Sequence, residues 1–117
     1  MKIVHLYTGD DGESHFEDLE LDMPSDALGV MTSEMQSAKG AMFNTWPVGH
    51  DLDWHPAPRR QYVAILSGRV EFEIGDGTKR QFGPGDVLLA DDTTGRGHQT
   101  RVIGDQPRDA FVVPVGE

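Results

Sequence analysis

The sequence predicts an all-β fold, a sandwich or barrel of short strands. Three observations carry that reading. Short runs with strand character recur along the whole chain, and Gly, Pro and Asp separate them at close spacing. The clearest run, Arg69 to Ile74, alternates strictly: Val70, Phe72 and Ile74 on one face, Arg69, Glu71 and Glu73 on the other. No stretch supports a helix of three turns.

Composition bounds the rest. A chain of 117 residues suits one domain, 1–117, and can bury roughly two thirds of its unfolded surface. With 0 cysteines there is no disulfide and no thiolate, so any metal would need His, carboxylate or amide oxygen. Ten basic against 20 acidic residues give a net charge of −10, a surface that repels nucleic acid. No apolar run is long enough to span a membrane, and the N-terminus lacks the order of a signal peptide. The default expectation is a cytoplasmic protein without a membrane or nucleic-acid partner.

In chain order, Lys2 to Tyr7 reads as a first strand, with Ile3 and Val4 as β-branched members. Thr8 to Ser14 is a polar turn. His15 to Leu21 stays undecided: Phe16 and Leu19 fit a helical turn, Leu19 and Leu21 a strand. Ala27 to Gly40 has no period, and its Met31 and Met35 read as filler. Positions 1–40 thus give one strand and a covering segment. Ala41 to Trp46 is a strand, and a long loop leads from there to His55. Gln61 to Leu66 and Arg69 to Ile74 follow as strands, the second closed by the hairpin turn Gly75-Asp76-Gly77. Thr78 to Phe82 precedes the tight turn Gly83-Pro84-Gly85-Asp86. Val87 to Ala90 is apolar on both faces, so a further segment or subunit should cover its outer side. His98 to Ile103 presents His98, Thr100 and Val102 on one face. Ala110 to Val115 is the last strand, and Pro114 places it at an edge or ends it.

The chemistry-bearing residues stand around the Gln61 strand. His55 precedes it, and His98 follows the Gly95-x-Gly97 loop. The fold is expected to gather His55, Gln61 and His98 into one pocket. Gly49, His55, Ala57, Gln61 and Gly68 resemble the first motif of the cupins, in which the corresponding places hold Gly, His, His, Glu and Gly. The turn Pro84-Gly85-Asp86, the run Val87 to Ala90 and Gly95-x-x-His98 resemble the second motif. Together the motifs span 49–98.

The resemblance implies a single-domain, conserved-barrel (jelly-roll, RmlC-like) cupin with an interior pocket. In members that bind metal, the motif histidines and glutamate hold one divalent ion such as Zn, Fe, Mn or Ni. Carried over, the ligands would be His55, Gln61 and His98. The departures count against the metal. Ala57 has no donor atom, Gln61 carries no charge, and Thr93 stands where proline is usual. The preferred expectation is a metal-free pocket, with a divalent ion as the alternative.

His55, His98 and Gln61 are the candidate catalytic residues, since an imidazole in a dry pocket can give or take a proton near neutral pH. Arg59, if alternation from Gln61 extends back to it, points inward and would bind a carboxylate or phosphate. Trp54 beside His55 is a candidate pocket wall, and Thr100, on the His98 face, a candidate ligand contact. The expected function is a small-molecule cupin, an enzyme of isomerase, lyase or hydrolase type on a small oxygenated acid. The rivals are a non-catalytic ligand sensor and a structural dimeric barrel. A homodimer is expected from the two-sided run Val87 to Ala90 and the apolar tail Phe111 to Val115.

Overall fold

The computed structural model describes residues 1–116. It contains ten strands among them: β1 (Lys2–Thr8), β2 (Ser14–Glu20), β3 (Met42–Trp46), β4 (Asp51–His55), β5 (Gln61–Ser67), β6 (Arg69–Glu73), β7 (Lys79–Phe82), β8 (Val87–Asp91), β9 (His98–Ile103) and β10 (Arg108–Pro114). No helix among the described residues is long and apolar enough to cross a membrane. A six-stranded sheet runs β2-β1-β8-β5-β10-β3 and a four-stranded sheet runs β4-β9-β6-β7.

The two sheets share one interior, and alternation decides what enters it. On β6 Val70 and Phe72 are buried while Arg69 is exposed, as the sequence pattern requires. On β9 His98, Thr100 and Val102 are the buried residues. The core joins Leu6, Val63, Ile65, Val70, Phe72 and Leu88 with neighbours from both sheets. Each such side chain contributes about 1.5–3 kcal/mol by leaving water.

Four readings are sharpened or corrected. The segment left open between helix and strand is β2, paired with β1 from Lys2↔Glu20 to Thr8↔Ser14. The stretch before His55 is not loop but the edge strand β4, antiparallel to β9. Its first three residues, Asp51, Leu52 and Asp53, are all exposed, so no apolar period marks it. The last strand begins at Arg108 rather than Ala110. It lies inside the sheet between β5 and β3, so Pro114 ends it rather than marking an edge.

The two-sided run Val87 to Ala90 finds its outer cover within the chain. Leu89 packs with Ile3 and Val115, against Leu19, Leu21 and Tyr62. Part of the covering segment is pinned there: Tyr62 Oη donates to Gln36 Oε1 at 2.8 Å, and Ala38 bridges to Val115. Met31 and Met35 stand exposed rather than filling a core.

Candidate active site

The site begins with the pairing of β4 and β9, which sets His55 opposite His98. Gly97 permits it. Its φ is +79°, and a Cβ there would run into the carbonyl oxygen of His55 and the nitrogen of Pro56. With no side chain at Gly97, the end of β4 closes onto the start of β9. The two imidazole centroids are then 4.6 Å apart, with the rings inclined at 60°.

Hydrogen bonds fix each ring. His98 Nδ1 donates to Asp92 Oδ2 at 2.6 Å, and Ser14 Oγ donates to the same oxygen at 2.6 Å. Asp92 is 0% exposed. His55 Nδ1 donates to the carbonyl oxygen of Asp53 at 2.7 Å. In both residues the acceptor beside Nδ1 fixes a proton there, so in the neutral ring the lone pair is on Nε2. Burial pushes the His55 pKa below the ordinary imidazole value, and proximity to His98 adds to the fall. The bond to Asp53 and the charge of Asp92 oppose it in part. His55 is therefore neutral at pH 7.

The cavity beside the rings has a volume of about 60 Å³, space for a few waters or a small organic molecule. His55, Gln61, His98 and Arg108 bring its functional groups, and Val63, Phe72 and Val112 form apolar wall. Wider depressions lie on the surface, such as one of about 500 Å³ over Tyr7, Asp11 and His15, but they open to solvent and hold no imidazole pair.

Arg108 is the residue the sequence did not announce. It is 1% exposed and opens β10 on the inward face. Its guanidinium lies 3.9 Å over the Trp46 ring, and Nη2 donates to Asn44 Oδ1 at 2.6 Å. Nε has no partner. Burial pushes its pKa down to about 10. Among the described residues three more buried polar atoms lack partners: His50 Nε2, Asp92 Oδ1 and Thr100 Oγ1.

Of the residues singled out from sequence, His55, Gln61 and His98 line one cavity. Arg59 does not: it is exposed, beside Lys39 and Asp91 in a separate depression, and its Nη1 donates to Gln61 Oε1 at 3.0 Å. Strand β5 starts only at Gln61, so alternation does not reach back past Pro58 to orient it. Trp54 is also outside the cavity lining, because neighbours on a strand point to opposite faces, and Arg96 stacks on it at 4.4 Å. Thr100 is inside the barrel but not in the cavity lining.

Arg108, Asn44 and the pairing of Asp92 with His98 are not read from the sequence. One signal for Arg108 existed: the inward series Pro114, Val112, Ala110, run back two residues, reaches it.

The motifs raise the question of a divalent ion, and the donor set does not fit one. Ala57, in the place of a histidine, is a core methyl at 4% exposure. The Gln61 oxygen is engaged by Arg59, and Asp92 stands behind His98, bonded to Ser14. Among the described residues no three of His, Cys, Asp or Glu converge as a metal cage. The Arg108 cation lines the same cavity. Two imidazoles without an anionic ligand, beside a fixed positive charge, make a poor site for a dication.

The sequence matches no family model and no curated protein. Solved structures do match. The DMSP lyase DddQ from Ruegeria pomeroyi DSS-3 aligns at 25% identity and TM-score 0.54, over 76% of this chain and 42% of that one. This chain thus spans about two fifths of the lyase's length. The Cnp3 cupin domain of Schizosaccharomyces pombe aligns at 14% identity and TM-score 0.53, over 98% of this chain and 84% of that one. An RmlC-like cupin from Desulfovibrio desulfuricans aligns at 22% identity and TM-score 0.45, covering 71% and 77% of the two chains. With two facing sheets around one interior, and with His55, Ala57, Gln61, Ala90 and His98 lining its pocket, the chain folds as a cupin, a jelly-roll barrel.

Proposed function

We propose that the protein is a small-molecule cupin whose interior site moves a proton on its ligand, with His98 as the base. The observation that carries this is the Ser14–Asp92–His98 chain, two bonds of 2.6 Å that end at an imidazole facing His55. The Asp92 carboxylate stabilises the imidazolium that forms when His98 Nε2 takes a proton.

The other groups divide the remaining work. A C–H proton next to a carbonyl passes to His98 Nε2, and the electron pair it leaves delocalises onto the carbonyl oxygen. The amide nitrogen of Gln61, whose oxygen is held by Arg59, donates to that oxygen. His55, kept neutral by burial, accepts a hydrogen bond from a ligand hydroxyl. For an α-hydroxy carbonyl, passage of the hydroxyl proton to the first carbonyl oxygen and return of the proton from His98 to the neighbouring carbon, where the hydroxyl becomes the new carbonyl, complete an isomerisation. Departure of a group from the β-carbon completes a lyase reaction. A lyase, DddQ, aligns with this fold at 25% identity, which supports the second outcome.

The test is solvent exchange. Pyruvate, lactate, acetoacetate and glyceraldehyde are incubated with the protein in D2O, and loss of C–H signal is followed by NMR. Exchange in at least one, slowed about 100-fold or more in His98→Gln, is expected. Binding without exchange would make the protein a receptor and remove the catalytic reading.

A further inference from the structure

We infer that Arg108 is the ligand anchor of this cavity and that the ligand is a small monocarboxylate. The inference rests on the cavity being a ligand site, but not on His98 acting as a base.

A buried arginine in a folded chain normally meets a carboxylate or several carbonyl oxygens. Arg108 meets one neutral amide oxygen, from Asn44. Among the described residues it forms no ion pair. The carboxylate next to it in sequence, Asp109, is turned away on the strand and accepts from Thr45 Oγ1 at 2.7 Å and Ser67 Oγ at 3.1 Å. A cation is thus held out of water on the wall of a cavity with no carboxylate bonded to it, only the more distant charge of Asp109 acting on it. That is an unfavourable arrangement for the protein alone and a favourable one for an anion that enters.

The geometry of the guanidinium narrows the anion. Trp46 covers its face at 3.9 Å, which leaves the N–H groups pointing outward in the ring plane. Asn44 takes one of them, and Nε–H is unpartnered. A planar edge of this kind matches a planar carboxylate. Charge sets the number: Arg108 is the lone arginine or lysine in the lining, so a single negative charge is neutralised and a phosphate dianion is not. Size sets the body: a cavity of about 60 Å³ with Val63, Phe72 and Val112 on its wall suits a chain of a few carbons. The imidazole pair lines the same cavity, so the body of the acid lies where His55 and His98 reach it.

The test uses the full chain, 15N-labelled, with propionate as probe and propionamide, its uncharged counterpart, at matched ionic strength. A ligand this small binds on the order of millimolar. Propionate should shift the indole N–H of Trp46 saturably and leave that of Trp54, outside the cavity, unmoved. Propionamide should shift neither. Arg108→Gln should weaken propionate binding about 10- to 100-fold, and Arg108→Lys, which keeps the charge but not the fork, less. His98→Gln should still bind propionate, so loss of exchange in that variant speaks to the base and not to the anchor. Equal binding of acid and amide by the wild-type protein would overturn the inference without need of any variant. So would wild-type affinity in a folded Arg108→Gln, or no Trp46 shift up to about 100 mM propionate.

Discussion

Asparagine at Asp92 is the substitution that separates a positioned base from a merely buried histidine. The wild-type carboxylate oxygen Oδ2 accepts two bonds, from Ser14 and His98, each 2.6 Å long. Asparagine has nearly the same volume but one acceptor oxygen and one donor nitrogen. Both bonds reach one oxygen, so an amide that places its nitrogen there presents N–H to both partners, and one that places its oxygen there keeps both bonds but loses the charge. A hydrogen bond to a charged group contributes about 1.5–3 kcal/mol, so Asp92→Asn should cost about 2 kcal/mol. For a domain of this size that lowers Tm by roughly 8 °C. The chemical effect is larger. When the amide N–H faces His98, Nδ1 becomes the acceptor, the proton moves to Nε2, and the nitrogen facing the cavity can no longer take one. A wrong tautomer of this kind lowers proton-transfer rates by about 10³–10⁴. Imidazole 15N–1H correlation spectra read the tautomer directly, and urea unfolding reads stability. Ser14→Ala should cost about 1 kcal/mol and leave the tautomer unchanged. The reasoning fails if wild-type His98 carries its proton on Nε2, or if Asp92→Asn keeps both the wild-type tautomer and the wild-type Tm.

Four further outcomes are expected. Burial lowers the His55 pKa from 6.5, so below that pH the unfolded chain binds a proton that the folded chain resists. Stability therefore falls as pH drops from about 7 towards the folded value, and His55→Gln should flatten that limb in urea titrations; an unchanged slope refutes it. Gly97→Ala should cost about 3 kcal/mol or more, since backbone strain and collision with His55 add, whereas Gly77→Ala, at φ +88° in open space, should cost about 1 kcal/mol; equal costs refute the close approach. Arg108→Met should leave the stability of ligand-free protein nearly unchanged: relief of the burial that lowers its pKa to about 10 is worth about 3 kcal/mol, offset by about 1 kcal/mol for the lost stack on Trp46 and about 2 kcal/mol for the lost bond to Asn44. A loss of more than about 3 kcal/mol in urea unfolding would refute it. Phe43, 74% exposed on the edge strand β3, packs against Phe111 at 4.9 Å with unpaired strand backbone beside it, so a dimer is expected by sedimentation at micromolar concentration and Phe43→Lys should dissociate it; a wild-type monomer refutes this.

How legible each part was depends on whether one face of a strand is buried. β6 and β9 wall the core on one side and water on the other, so their residues alternate and can be read directly. β4 lies at an edge with its first residues exposed on both faces, and nothing in Asp51-Leu52-Asp53 betrays it. The convergence of His55 and His98 depends on that hidden pairing, and only the resemblance of motifs pointed to it. Asp92 escaped because a carboxylate in a loop usually caps a turn, whereas here the loop folds it under β9 to 0% exposure. Arg108 escaped for a stronger reason. Pattern reading assigns charged residues outward, and a site that needs an inward charge must break the pattern that makes a fold readable.

The departures from the metal motif and the presence of Arg108 follow one electrostatic logic. Ala57 removes a ligand, Gln61 removes a negative charge, and Arg108 adds a positive one to the same cavity. A divalent ion entering such a site meets repulsion where it would need an anion, while an entering carboxylate meets its countercharge. Once that carboxylate sits on Arg108, proton transfer changes no net charge in the site. Transfer of a proton to His98 creates an imidazolium 2.6 Å from Asp92 and leaves a negative charge on the ligand's carbonyl oxygen, so the charge that stood unmatched on Asp92 passes to the oxygen that the Gln61 amide meets. Low dielectric makes that matching matter: two unit charges 4 Å apart interact by about 4 kcal/mol at an effective dielectric near 20, against about 1 kcal/mol in water. The fixed guanidinium thus takes over, without a metal, the electrostatic task of holding an anion inside an apolar barrel, and leaves the imidazole pair free to exchange a proton.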